Sequence, residues 1–309
     1  MNWMVLVAIY LVVDSLIMFI DNFISDVHFK DHLSTGQKTF TGFAYVLYAV
    51  ILGLIFRIDL SAFSVWIYFA IIGTGIMLSF ASVAYYRALE IEDSTNLSIF
   101  TQLSPIFYLV FGWFLLGDKF SPTQLIAFAL ILMAPLLIVL KSRKNSRKTK
   151  LRAIALAAIY VITSVLSGVL FIKISSEQGV DFGTSMVFFL LGKGLGNLLL
   201  VFVIRRKWSK RYYYVIKRSN GKLRPLLAAE SLLCIADEFT YRGALIAAPS
   251  TALASAASDS LQPIITLMMG IILTLIWPRF GREKMDKKSV AVRLISTALV
   301  VVGIIILQL

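Results

Sequence analysis

Acidic, amide and basic side chains interrupt runs of this sequence that are otherwise apolar, and their spacing is that of helix faces. Asp14 stands in the middle of the first run, with Tyr10 one turn before it and Asp21 two turns after. Glu230 and Asp237 are seven residues apart and share a face, and Glu238 precedes Arg242 by four. Asp259 is followed by Gln262 and Pro263, and Gln102 by Pro105, so that each proline frees a backbone carbonyl beside a polar side chain. Lys193 lies within "LGKGLGN", whose small residues allow close helix packing, with Asn197 one turn on.

An ionisable group at bilayer depth costs about 2.5–3.5 kcal/mol on insertion scales, so each of these needs a partner, a water-filled cavity or a function. Carboxylates so placed can exchange protons or hold a cation. The candidate substrate- or proton-binding set is therefore Asp14, Tyr10, Gln102, Glu230, Asp237, Asp259 and Gln262. Lys193, Arg87 and Arg242 are candidates for anion binding or for structural ion pairs. Of these, Glu238–Arg242 reads as an anchor near a helix end, and Arg87 with Glu90 as a turn-fixing pair. Pro105 and Pro263 are the candidate hinges.

Other chemistries find little support. His28 and His32 in "HFKDH" are one turn apart but lack a third ligand, so no metal site is expected. Cys234, the only cysteine, excludes an internal disulfide and a multi-cysteine metal site. "GKGLGN" lacks the spacing of a phosphate-binding loop, and no nucleophile–base set appears in a plausible context. Neither a cofactor nor an enzyme is expected.

The elements that must position these residues follow from composition. Of 309 residues 59% are hydrophobic and only 15% charged, with a mean hydropathy of +0.84, which is the balance of an integral membrane protein. In lipid the backbone must satisfy its hydrogen bonds within the segment, so the apolar runs read as helices. The expected fold is all-α with ten transmembrane helices, at 3–24, 39–56, 61–86, 94–117, 120–140, 152–173, 182–204, 224–245, 250–277 and 289–308. The next best count is nine. The first run lacks a basic leader and a small-residue cleavage site, so it reads as a span and not as a removable signal peptide.

The net charge of +13 lies mainly in loops, "KSRKNSRKTKLR" (141–152), "RRKWSKRYYYVIKRSNGKLR" (205–224) and "RFGREKMDKK" (279–288). With ten spans these fall on one face, which the positive-inside rule makes cytoplasmic, with both termini outside. The same clusters suit contact with anionic lipids and argue against nucleic acid as a partner. The expected residence is a bacterial plasma membrane.

The chain also matches itself. "AIY" at 8–10 recurs at 158–160, "IS" at 24–25 at 174–175, and "YRAL" at 86–89 returns as "YRGAL" at 241–245. Each Tyr-Arg turn is followed by Ser-Thr, at 94–95 and 250–251, and then by a proline-bearing helix. Five spans per half make the second copy enter the membrane from the opposite side, giving two inverted five-helix repeats. The divisions are 1–140 for the first repeat, 141–151 for a basic linker and 152–309 for the second.

The run from "YYRALEIEDSTNLSIFTQLSP" to "MAPLLIVL" resembles the latter part of an EamA-type half of the drug/metabolite transporter superfamily. It has the Ala-Leu turn, small polar residues, a Pro-containing fourth helix, a Gly-acid junction at Gly117 and Asp118, and a fifth helix. The second half is similar more loosely, with Gly281 and Glu283 at the junction. The resemblance implies a carrier whose central cavity is lined mainly by helices 1, 3, 4, 6, 8 and 9. Family members more often keep their termini in the cytoplasm, whereas the charge bias here points the other way. Small multidrug transporters of this superfamily carry an exchangeable carboxylate on the first helix, which Asp14 resembles in placement.

The expected function is secondary transport of a small organic solute, cationic or zwitterionic by preference, by proton-coupled export or exchange with alternating access. The carboxylates outnumber the one deep cation, Lys193, which favours this over exchange of anionic metabolites or nucleotide sugars. A non-transporting receptor or assembly protein has little reason to keep such charges. Helices 5 and 10 leave open a homodimer.

Overall fold

The computed structural model describes residues 2–28, 33–89, 104–141, 147–204 and 223–276, together with isolated helical positions at 298, 302 and 306. Nine helices and no strands are found among the described residues. They are α1 (Trp3–His28), α2 (Leu33–Ile55), α3 (Val65–Leu89), α4 (Ser104–Phe111), α5 (Pro122–Lys141), α6 (Arg147–Glu177), α7 (Phe182–Leu199), α8 (Leu223–Ala247) and α9 (Thr251–Ile276). Each coincides with one of the first nine expected spans. The tenth span, the turn at 90–103 including Gln102, and the basic loops 205–222 and 279–288 lie outside the described residues.

The helices exist because their sequences leave the backbone no other partner. Four stretches are long and apolar enough to cross a membrane, within Trp3–Asp21, Val65–Tyr85, Ala155–Glu177 and Phe182–Phe202. Phe40–Ile55 and Ser104–Leu116 are shorter apolar helices. Polar turns end them. Between α2 and α3, Asp59 accepts from the Ser61 hydroxyl at 2.6 Å and amide at 2.8 Å, and these bonds hold its carboxyl below the ordinary range. Helix α4 widens into a π-helical turn at Gly112–Leu116 that closes on Gly117 at φ +73°, where only glycine is comfortable. The N-terminus of α7 is capped by Asp181, which accepts from Thr184 N at 2.9 Å.

Packing centres on α7, which lies between α2 and α3. Its glycines let backbones touch. A methyl group on Gly75 of α3 would run into Phe189 O and stand 2.6 Å from Lys193 N, and one on Gly192 would run into Ile72 O. On the other face, a methyl on Gly194 would lie 2.9 Å from Gly42 O of α2. Hydroxyls add to this packing, Ser79 donating to Lys193 O across the α3–α7 seam at 2.7 Å and Ser167 of α6 to Thr74 O across the α3–α6 seam at 2.8 Å. Elsewhere α1 packs on α8 and α9, α4 on α6 and α9, and α3 on α6, while α8 meets α2 more thinly. Exchanging each helix for the one five later maps α1·α8 onto α3·α6, α1·α9 onto α4·α6, and α2·α7 and α4·α9 onto themselves.

Gly75→Ala should therefore lower the melting temperature of the detergent-purified protein, at a cost of about 1–3 kcal/mol for forcing two backbones apart. Gly73, two residues away with nothing near its missing side chain, should accept alanine at no cost. Equal behaviour of the two variants in a thermal unfolding assay contradicts the direct α3–α7 contact.

Candidate functional site: an acid-rich cavity

Six helices leave a cavity of about 320 Å³ between them, and they are α1, α3, α4, α6, α8 and α9. Helix α1 contributes Tyr10, Asp14 and Asp21, α8 contributes Asp237, Glu238, Tyr241 and Arg242, and α9 contributes Asp259 and Gln262. From the other side come Tyr85 of α3, Ser104 and Tyr108 of α4, and Tyr160 and Ser164 of α6. Five tyrosines thus wall a space that holds five carboxylates.

Two of the carboxylates, Asp14 and Asp259, are held by neutral donors. Asp14 Oδ2 accepts from Gln262 Nε2, joining α1 to α9, and Ser15 with Thr266 at 3.1 Å repeats that link nearby. Asp259 Oδ2 accepts from Ser255 Oγ at 2.9 Å and from Ser104 Oγ of α4. The tyrosines form their own network. Rings of Tyr10 and Tyr241 lie 4.8 Å apart and those of Tyr85 and Tyr160 4.9 Å apart. Tyr241 also shares hydrogen bonds with Tyr108 and Ser255.

The cations are arranged differently. Lys193 Nζ donates to Glu238 Oε1 and lies 4.7 Å from the centre of the Tyr45 ring on α2. Arg242 Nε donates to the other oxygen, Oε2, at 3.2 Å, and its guanidinium stacks at 3.6 Å over Phe189 of α7 and 4.8 Å from Phe171 of α6. One carboxylate is thus shared by two cations, and aromatic faces cover the second cation. Among the described residues, Asp237 Oδ1, Gln262 Oε1 and Arg242 Nη1 are buried without a hydrogen-bond partner. These atoms await water or a solute.

The sequence-predicted residues divide accordingly. The structure brings Tyr10, Asp14, Asp237, Asp259, Gln262 and Arg242 to one cavity. Glu230 is fully buried behind it, where Cys234 Sγ approaches its Oε1 at 3.8 Å. Lys193 also stands behind the lining, and Arg87 is exposed on the last turn of α3. The Glu238–Arg242 pair is not an interfacial anchor. α8 continues to Ala247, which leaves Arg242 inside the bundle and only 3% exposed. Pro105 opens the described part of α4 and is buried, and α9 continues as helix through Pro263. Gln102 and His32 lie outside the described residues, and no cluster of three or more metal-ligating side chains occurs among those described.

Sequence reasoning missed Ser104, Ser164 and four of the tyrosines. A signal for two of these residues was present. The offset of 150 that brings Tyr10 onto Tyr160 also brings Asp14 onto Ser164, and all four residues line the cavity.

Residues 6–140 match the EamA-like transporter family, which belongs to the drug/metabolite transporter superfamily. No curated protein matches the chain in sequence. A solved structure described only as the crystal structure of a protein is similar over 98% of this chain and 94% of its own, with a TM-score of 0.68 at 12% identity. That likeness extends one fold over the whole chain. The apolar helices, with the family match over residues 6–140, are those of an integral membrane protein.

Removing one member of a buried ion pair typically costs about 3–5 kcal/mol, because the other charge is stranded. Glu238→Leu strands both cations, whereas Arg242→Leu leaves Lys193 and Glu238 balanced. Thermal unfolding in detergent should therefore rank Glu238→Leu well below Arg242→Leu. The reverse order is incompatible with a shared carboxylate.

Proposed function

We propose, from the match of residues 6–140 to the EamA-like transporter family and from the cavity, that this chain is a secondary transporter of a small organic solute bearing a cationic group, alone or in a zwitterion. The observation that carries this reading is the unequal charge of the cavity. Asp14, Asp21, Asp237 and Asp259 line it in addition to Glu238, while both deep cations are already committed to Glu238. Such a wall attracts cations and protons.

Transport proceeds by alternating access of two inverted five-helix repeats, 1–140 and 152–309, joined by the basic linker 141–151. The packing pairs that exchange under a shift of five helices support this, as do the repeated "AIY" and Tyr-Arg turns. Protons and substrate compete for the same carboxylates, which couples the solute to the proton gradient. The basic loops face the cytoplasm of a bacterial plasma membrane and meet its anionic lipids.

A second reading, exchange of anionic metabolites or nucleotide sugars, draws support from one atom. Arg242 Nη1 is buried at the cavity wall without a partner, a ready donor to a carboxylate or phosphate.

The two readings separate in a thermal-stability screen of amines, amino acids, sugar nucleotides and organic anions at about pH 6 and about pH 8, since a ligand for the folded state raises its melting temperature. Competition with protons makes a cationic ligand bind better at the higher pH, and Asp14→Asn or Asp259→Asn should abolish proton-driven uptake in liposomes while leaving the protein folded. Anionic ligands favoured at the lower pH and lost in Arg242→Met would establish the second reading. Full proton coupling in both Asp variants would remove those carboxylates from the mechanism.

A further inference from the structure

Lys193 has no place in the cavity lining, yet its position is closely fixed. Its backbone is fixed, because Ser79 donates to its carbonyl at 2.7 Å and the glycines on either side of it hold α7 against α3 and α2. Its side chain is the flexible part. It leaves this fixed block, passes the Tyr45 ring, and ends on Glu238 of α8. Helix α8 belongs to a different packing body, seated mainly on α1, with only thin contacts to α2, α6 and α7.

The seam between these bodies carries two crossed contacts. Lys193 of α7 reaches to a carboxylate on α8, and Arg242 of α8 reaches back to the rings of Phe189 and Phe171. Both meet at Glu238, and both Glu238 and Arg242 face the cavity. We propose that Lys193 is a positioning residue: by holding Glu238 it clasps the seam between α8 and the α2–α3–α7 block, and the seam opens when Glu238 exchanges Lys193 for another partner.

The energetics favour a releasable clasp over a permanent bolt. A seam packed by apolar side chains or by touching glycines, like that of α3 and α7, opens only by exposing surface or leaving a void. An ion pair at a cavity wall can instead be traded for another charged group at little net cost, provided the incoming group takes over the carboxylate. Arg242 sits on the same helix as Glu238 and keeps its bond to it, so Glu238 is not stranded when Lys193 departs.

The idea that this seam moves in a transport cycle rests on the proposed function, but its test does not require transport. Cys234, the only cysteine, lies one turn before Glu238 on the same face of α8 and reports on the seam directly. In the purified wild-type protein a water-soluble maleimide should label Cys234 slowly. Lys193→Met and Glu238→Gln should each accelerate labelling about tenfold or more, tenfold being a weakening of the closed seam by about 1.4 kcal/mol. Lys193→Arg, which can still donate to Glu238, should restore the slow rate, a rescue that loss of packing alone does not predict. Glu238→Asp, one methylene shorter, should fall between, and it carries the test should Lys193→Met not purify.

A cysteine placed at Ser167 in a Cys234→Ser background separates local opening from general loosening, since that position is buried on the α3–α6 seam. It should stay unreactive in every Lys193 variant. Wild-type labelling rates in Lys193→Met, acceleration in Lys193→Arg equal to that in Lys193→Met, or parallel acceleration at position 167 would each overturn the clasp. Failure of solute flux with these labelling rates intact would instead count against the transport reading alone.

Discussion

The cost of charge in an apolar interior governs this structure, and Glu238 is where it is resolved. Two cations reach one carboxylate, which would leave a surplus positive charge at bilayer depth if nothing else were near. The surplus is spread over aromatic faces, with Arg242 on Phe189 and Phe171 and Lys193 over Tyr45. Those rings belong to α6, α7 and α2, so neutralising one cluster draws three helices together with α8. The acidic side chains across the cavity are treated otherwise. Asp14 and Asp259 receive amide and hydroxyl donors and, among the described residues, no cation. One charged cluster is thus ion-paired, while the other is held by neutral donors.

Such a division needs a rigid reference. Helix α7 supplies it through glycines, because residues without side chains let two backbones meet where bulky ones would hold the helices apart. Packing of that kind replaces the hydrophobic drive that is missing between helices in lipid. It also fixes the backbone of Lys193 to within the tolerance of an interior contact, so that the reach of one side chain defines how far α8 can sit from the block.

The helices were legible because membrane-depth backbone admits few alternatives, and apolar run length translates directly into helix bounds. For α7 the expected 182–204 coincides with the helix and its π-helical continuation to Ile204. Sites were legible only in part. Glu230 and Asp237 share a helix face, but seven residues advance about 10.5 Å along the axis, which carries Glu230 past the end of the cavity into the fully buried core. The Glu238–Arg242 pair was visible at its i, i+4 spacing, while its depth was not, since that depends on how far α8 extends. Lys193 and Glu238 are 45 residues apart, and no local pattern joins them. The tyrosines escaped notice because an aromatic residue in an apolar run fits a core or an interface equally well until the neighbouring helices are in place.

Asp14 and Ser164 are related by the same offset of 150 that joins Tyr10 to Tyr160, and all four face the cavity. The tyrosine is thus kept at both positions, while the carboxylate of one has a hydroxyl as its counterpart. Helices α1 and α9 supply Asp14, Asp21 and Asp259 to the lining, and α8 adds Asp237 and Glu238. Glu238 and Arg242 turn toward α6 and α7, where Lys193, Phe189 and Phe171 meet them. A polar solute in this cavity would therefore meet carboxylates from α1, α8 and α9 and hydroxyls from α4 and α6, so its two sides differ in charge.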